Sequence, residues 1–140
     1  MQRQTELQNW LHAVYPEQNF ELSFAAADAD FRRYFRATFA DGKTVICMDA
    51  PPDKMSVAPY LKVQKLFNML NVPQVLHANE AQGFMVLNDL GGTTFLTAMQ
   101  QEQGADAHKV LLLEAIDELV ELQKASQPGK LPEYDREVML

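Results

Sequence analysis

At 140 residues, 47% of them hydrophobic and 22% charged, the chain has the composition of an ordinary soluble domain and enough length for one real core. Its formal net charge of −7 repels phosphate polyanions and anionic lipid at long range, which excludes nonspecific nucleic-acid or membrane-surface binding as its main role but leaves room for one small phosphate ligand at a local basic spot. A single cysteine, Cys47, excludes an internal disulfide and a cysteine-based zinc site. Cys47 sits among Val45, Ile46 and Met48 and reads as a buried structural thiol. No long apolar run follows the first residues and none reaches the roughly 18 residues of a membrane span, so neither a secretory leader nor a membrane anchor is expected, and the expected location is cytoplasmic.

In chain order, residues 4–15 are predicted to form an amphipathic helix, because Leu7, Trp10, Leu11 and Val14 recur on one helical face and Pro16 stops the run. Phe20, Leu22 and Phe24 alternate with Glu21 and Ser23 as in a half-buried strand. Residues 25–30 are small and acidic and read as a loop. Residues 32–39 and 43–48 are two more strands, joined by Ala40-Asp41-Gly42, where Gly and Asp tolerate positive φ. Pro51-Pro52 closes the third strand. Pro59 suits a first helical position, and the helix it opens runs to Leu70 with Tyr60, Val63, Phe67 and Leu70 on one stripe.

Residues 74–78 and 84–87 are the fourth and fifth strands, the fifth apolar enough for a central place. Asn88-Asp89-Leu90-Gly91-Gly92 breaks the pattern and reads as a hinge. The chain then becomes helical. Thr93 or Thr94 caps a short helix through Met99, residues 107–123 form the longest helix with Leu112, Ile116, Leu119 and Val120 on its inner face, and residues 133–140 begin another.

This order predicts an α+β fold: a five-stranded antiparallel sheet with one packed helix between the third and fourth strands, then a hinge and the first helices of a second lobe. The layout resembles the small lobe of the protein-kinase-like fold, with residues 1–90 as a nucleotide-binding lobe and 91–140 as the hinge and the start of a helical lobe. In such a lobe the loop after the first strand covers the ATP triphosphate. Arg32 and Arg33 follow that loop; a guanidinium fork suits phosphate, and strand alternation turns only one of the pair toward it. Both can equally be solvated edge arginines. The loop itself contains no glycine, and Asp28 and Asp30 repel phosphate unless they cap the turn or face away.

At the end of the third strand, where a protein kinase carries a phosphate-pairing lysine, this chain has Asp49. Asp49 is either a turn acid before Pro51 or a group that positions an arginine or a magnesium-bound water. Lys54 and Lys62 are expected to face solvent. The backbone of Leu87, Asn88, Asp89 and Leu90 is the candidate adenine contact. His12, His77 and His108 lack ligand spacing and read as structural, and the acids of residues 107–123 as a solvated face. No nucleophile–base pair is visible.

Asp28-Ala29-Asp30-Phe31-Arg32-Arg33-Tyr34-Phe35-Arg36, then Met48-Asp49-Ala50-Pro51-Pro52 and Leu87-Asn88-Asp89-Leu90-Gly91, resemble the aminoglycoside phosphotransferase family, and within it the amino-sugar kinases of bacterial cell-wall recycling. Ala27 and Asp30 stand where that pattern has glycine and serine. The resemblance implies ATP- and Mg2+-dependent phosphorylation of an amino-sugar hydroxyl, N-acetylmuramate- or N-acetylglucosamine-like, by positioning and charge stabilisation. It also implies that the catalytic base and magnesium ligands belong to a larger lobe absent from this sequence. The chain therefore reads as the N-terminal part of a longer kinase, inactive alone, with no catalytic or metal-binding residue of its own. A lobe cut in this way is expected to expose the apolar face of residues 107–123 and to self-associate through it. The rival readings are a non-catalytic kinase-like interaction module, which the alanine-rich loop and Asp49 favour, or a phosphotransferase for another hydroxyl substrate such as an aminoglycoside or choline.

Overall fold

The computed structural model describes residues 2–28 and 31–131. The helix expected over residues 133–140 lies outside these. In order, the elements are α1 (Gln2–Val14), β1 (Phe20–Ala27), β2 (Arg33–Phe39), β3 (Thr44–Asp49), α2 (Ala58–Leu66), β4 (Val75–Asn79), β5 (Phe84–Asn88), α3 (Phe95–Gln101) and α4 (Ala105–Ala125). The strands form one sheet in the order β1-β2-β3-β5-β4, with every neighbouring pair antiparallel. This is the expected α+β sheet, and the apolar β5 does lie inside it, between β3 and β4.

Side-chain alternation sorts the sheet into two faces. Phe35, Ala37, Phe39, Val45, Cys47, Phe84 and Val86 point to one face, where Leu7 and Leu11 of α1 cover them. Trp10 stacks on Phe84 at 5.8 Å, so it is the packing anchor its helical position implied. Met48, Met85 and Leu87 point to the other face and meet Val57, Tyr60 and Leu61 from the α2 side. Each fully buried Leu, Phe or Met contributes about 1.5–3 kcal/mol, so these two clusters are the main source of the sheet's stability.

The β2–β3 hairpin turns where Asp41-Gly42 said it would. Gly42 sits at φ 85°, its N–H donates to the Phe39 carbonyl at 2.9 Å, and the Asp41 carboxylate accepts from the Lys43 N–H at 3.0 Å. The loop after β1 is shorter than expected. Ala26 and Ala27 pair with Tyr34 and Arg33 after a bulge at Ala25, so residues 25–27 are strand. Three alanines carry neither alternation nor β propensity; pairing with β2 supplies what the local sequence lacks. Helix α2 is also shorter than its stripe suggested, ending at Leu66, and Met69 is exposed.

The described residues divide into two compact units, one of residues 2–28, 31–62 and 73–90 and the other of 63–72 and 91–131. In the second, Thr94 caps α3 by accepting from the Thr97 N–H, and His108 Nε2 donates to the carbonyls of Met99 and Glu102, a structural role. Leu112, Ile116, Leu119 and Val120, expected on an inner face, are each between 39% and 52% exposed. No helix among the described residues is long and apolar enough to cross a membrane.

Burial pushes the Cys47 thiol from its ordinary value near 9 up to about 12. Burial likewise lifts the Tyr34 hydroxyl to about 12, against the downward pull of Arg32. Both groups are held neutral in the folded state, so their contribution is complete below pH 9 and is lost as pH rises through about 12. The melting temperature is expected to decline across that window, and Cys47→Ala should make the decline shallower. An identical alkaline slope in the variant would contradict this assignment.

Candidate functional site

Asp49 is the fully buried charged residue at the end of β3. Pairing across the hairpin puts it opposite Arg33, and pairing with β5 puts it opposite Phe84. Its Oδ2 accepts from Arg33 Nη2 at 2.8 Å, and its Oδ1 accepts from Arg3 Nε and Nη2 at 3.1 and 2.5 Å. Arg3, in the first turn of α1, also donates to the Gln82 carbonyl at 2.6 Å and lies over the Phe84 ring at 4.5 Å. A buried carboxylate is tolerated because two guanidiniums satisfy it. Of the two sequence readings of Asp49, the structure favours the one in which it positions an arginine.

Arg32 and Arg33 separate as strand alternation requires. Arg33 shares a face with Phe35, Cys47 and α1. Arg32 lies beside Tyr34 and Tyr60, whose hydroxyl pKa values it pulls down against the larger upward effect of burial. Asp28 closes the loop below: its N–H donates to the Arg32 carbonyl at 3.1 Å, and its Oδ2 takes Arg32 Nη2 at 2.9 Å and the Tyr34 hydroxyl at 3.1 Å. Its carboxylate is thus held by Arg32 and Tyr34. Asp30 lies outside the described residues.

Both arginines line a cleft of about 590 Å³ at this end of the sheet, together with Arg3, Ala27, Phe31, Pro51, Asp53 and Lys54. Four cations and one acid line this cleft; Arg3 and Arg33 are paired with the Asp49 carboxylate and Arg32 with Asp28. Lys54, expected in solvent, is exposed but stands on the rim of this cleft, its Nζ over the Phe31 ring at 5.4 Å.

The four hinge candidates have different surroundings. Leu87 lies inside the sheet opposite Ile46 and Val75 and packs on the α2 side. Asn88 closes the β4–β5 ladder, accepting from the Gln74 N–H at 2.6 Å while its own N–H donates to the Gln74 carbonyl. The Asp89 carboxylate takes Arg36 Nε at 2.6 Å, Arg36 Nη2 at 3.3 Å and the Thr44 hydroxyl at 2.9 Å. Leu90 is the first of the four whose side chain is largely exposed. Among the described residues no three His, Cys, Asp or Glu side chains form a cluster fit to hold a metal ion.

Sequence reasoning missed Arg3, which stands 46 positions before Asp49 in a helix with no local mark of its role. The Arg33–Asp49 pair did carry a signal, since counting outward from the Asp41-Gly42 turn places the two opposite each other.

A model of the phosphotransferase enzyme family matches residues 21–140. The chain is 79% identical over its whole length to an N-acetylmuramate/N-acetylglucosamine kinase of Neisseria meningitidis serogroup B, of which it covers 42%. It is 34% identical over 96% of its length to the protein of the same name from Pseudomonas aeruginosa, again covering 42% of the relative. With the Pseudomonas putida protein of that name it shares 36% identity over 81% of this chain and 33% of the relative. The chain thus spans less than half the length of the curated relatives it matches.

Proposed function

Because the chain belongs to the phosphotransferase enzyme family, we propose that it is the nucleotide-binding part of an ATP-dependent amino-sugar kinase acting on N-acetylmuramate or N-acetylglucosamine. Residues 1–90 form the nucleotide lobe in this reading, and residues 91–140 begin the helical lobe. The observation that carries it is the cation-lined cleft of Arg3, Arg32, Arg33 and Lys54 at the end of the sheet. Arg32 and Arg33 contact the phosphates, and the backbone at Asp89 and Leu90 meets the base edge. Four residue steps along β5 separate Phe84, opposite Asp49, from Asn88, opposite Val45. That is about 14 Å, on the scale of an extended nucleoside triphosphate.

Mg2+ enters this reading through the family alone, since the described residues offer no ligand cluster, and no step is assigned to it. A role in cell-wall recycling and a cytoplasmic location complete the proposal. Of the two features that favour the interaction-module reading, the alanine-rich loop and Asp49, this reading gives the second another role, since Asp49 pairs with Arg33.

Calorimetric titration with ATP and with adenosine tests the proposal. ATP should bind at least tenfold more tightly than adenosine, and Arg32→Ala or Arg33→Ala should each remove about tenfold of that advantage, the scale of one charge-assisted contact. Equal affinities for the two ligands would overturn it. In a protein with the full length of the relatives, ATP-dependent phosphorylation of an amino sugar is expected, and its absence would remove the substrate assignment. The exposed apolar side chains of α4 are the surface through which copies of this chain should associate. Sedimentation across a concentration series should show mass rising with concentration, whereas a constant monomer mass would exclude it.

A further inference from the structure

Resting on the nucleotide reading above, we infer that Asp49 and Arg3 are positioning residues: together they hold Arg33 in the orientation that receives phosphate. A surface arginine at the start of a strand samples many rotamers, and freezing it when the ligand binds costs conformational entropy. Asp49 removes much of that freedom in advance, because the carboxylate is fully buried and sits directly across the ladder from Arg33.

Asp49 alone, however, would favour a two-pronged embrace in which Arg33 turns both outer nitrogens onto the carboxylate and away from the cleft. Arg3 prevents this. It occupies Oδ1 with Nε and Nη2, so Arg33 is left with a single bond from Nη2 to Oδ2. The Arg33 side chain, 37% exposed, still lines the cleft. Arg3 is itself fixed by the Gln82 carbonyl and the Phe84 ring, so it can act as a permanent blocker. The Arg3 guanidinium also stands 3.7 Å from the Glu6 carboxylate, so its own charge is matched and its effect on the cleft passes through Arg33. The docking of α1 on the sheet thereby becomes part of the phosphate site.

Titration of the chain with ATP and adenosine, read as the ratio of the two affinities, separates this from its rivals. Asp49→Asn keeps the shape and removes one negative charge. If Asp49 only sets the local charge, ATP binding must strengthen; if it positions Arg33, the ATP preference must fall, by about tenfold, with adenosine affinity unchanged. Arg3→Met should lower the preference similarly in the parent and add nothing in an Arg33→Met background, since it acts through Arg33. It also serves as the test if the Asn variant does not fold.

An ATP preference that is retained or raised in Asp49→Asn overturns the inference, as does an Arg3→Met effect that adds to that of Arg33→Met. A parallel loss of adenosine and ATP affinity assigns the residues a merely structural role and overturns it equally. If the parent chain shows no preference for ATP over adenosine, the nucleotide reading itself fails and takes this inference with it.

Discussion

Gly83→Ala is expected to lose about 3–6 kcal/mol of stability, an unusual amount for one added methyl group. Gly83 closes the β4–β5 turn at φ 74°, and a Cβ built there would stand 1.8 Å from the Ala50 carbonyl oxygen and 2.9 Å from its carbon. Neither strand end can retreat, because the Ala50 N–H donates to the Gly83 carbonyl at 2.8 Å. The left-handed backbone costs a side chain about 1–2 kcal/mol, overpacking about 1–3 more, and the broken hydrogen bond about 1. Gly42→Ala is the control: its φ of 85° is as demanding, but nothing lies within 4 Å, so only the backbone cost remains. Urea unfolding of both variants measures the difference, and equal losses would show that the Ala50 contact is not rigid. The neighbouring Gln82 carbonyl holds Arg3, so a displaced turn should also weaken ATP binding in whatever fraction of Gly83→Ala still folds.

Asp89→Ala should cost about 3 kcal/mol, placing the residue among the sheet's fastenings. Its side chain is only 8% exposed and joins Arg36 of β2 to Thr44 of β3 just past the end of β5. Removing it strands the Arg36 guanidinium and the Thr44 hydroxyl beside a partly buried gap. Asp89→Asn should lose less, because the amide oxygen still accepts one of these bonds while the charge-assisted part disappears. A direct ligand contact through the carboxylate would give the reverse pattern, with little loss of stability and a large loss of nucleotide affinity. Thermal unfolding and ATP titration of the two variants distinguish these cases.

The sheet was legible because its signals are local and redundant. Phe20, Leu22 and Phe24 alternate, Asp41-Gly42 can hardly be anything but a turn, and Phe84 to Leu87 is too apolar for an edge. What failed to show was whatever depends on a partner distant in sequence. Residues 25–27 become strand only because β2 lies beside them. Asp49 looked like a turn acid before a proline because Arg3, which completes its pairing, comes from a helix read purely for its apolar face.

Asn88 and Asp89 were noticed as a break in pattern, and a break marks a strand end whether its side chains serve a ligand or the ladder. Here they serve the ladder and the Arg36–Thr44 cluster. The apolar stripe of α4 was read correctly as a stripe. A helical period, however, cannot say whether anything covers it, and in this structure Leu112, Ile116 and Leu119 remain about half exposed.

Nuclear magnetic resonance of the labelled chain during titration with ATP, and separately with adenosine, tests the nucleotide site most directly. The expected result is that the Arg32 and Arg33 side-chain Nε–H signals shift with ATP and not with adenosine, while the Leu90 amide shifts with both. Shifts confined to α4, or arginine signals that stay still at saturating ATP, would contradict a phosphate site at the end of this sheet.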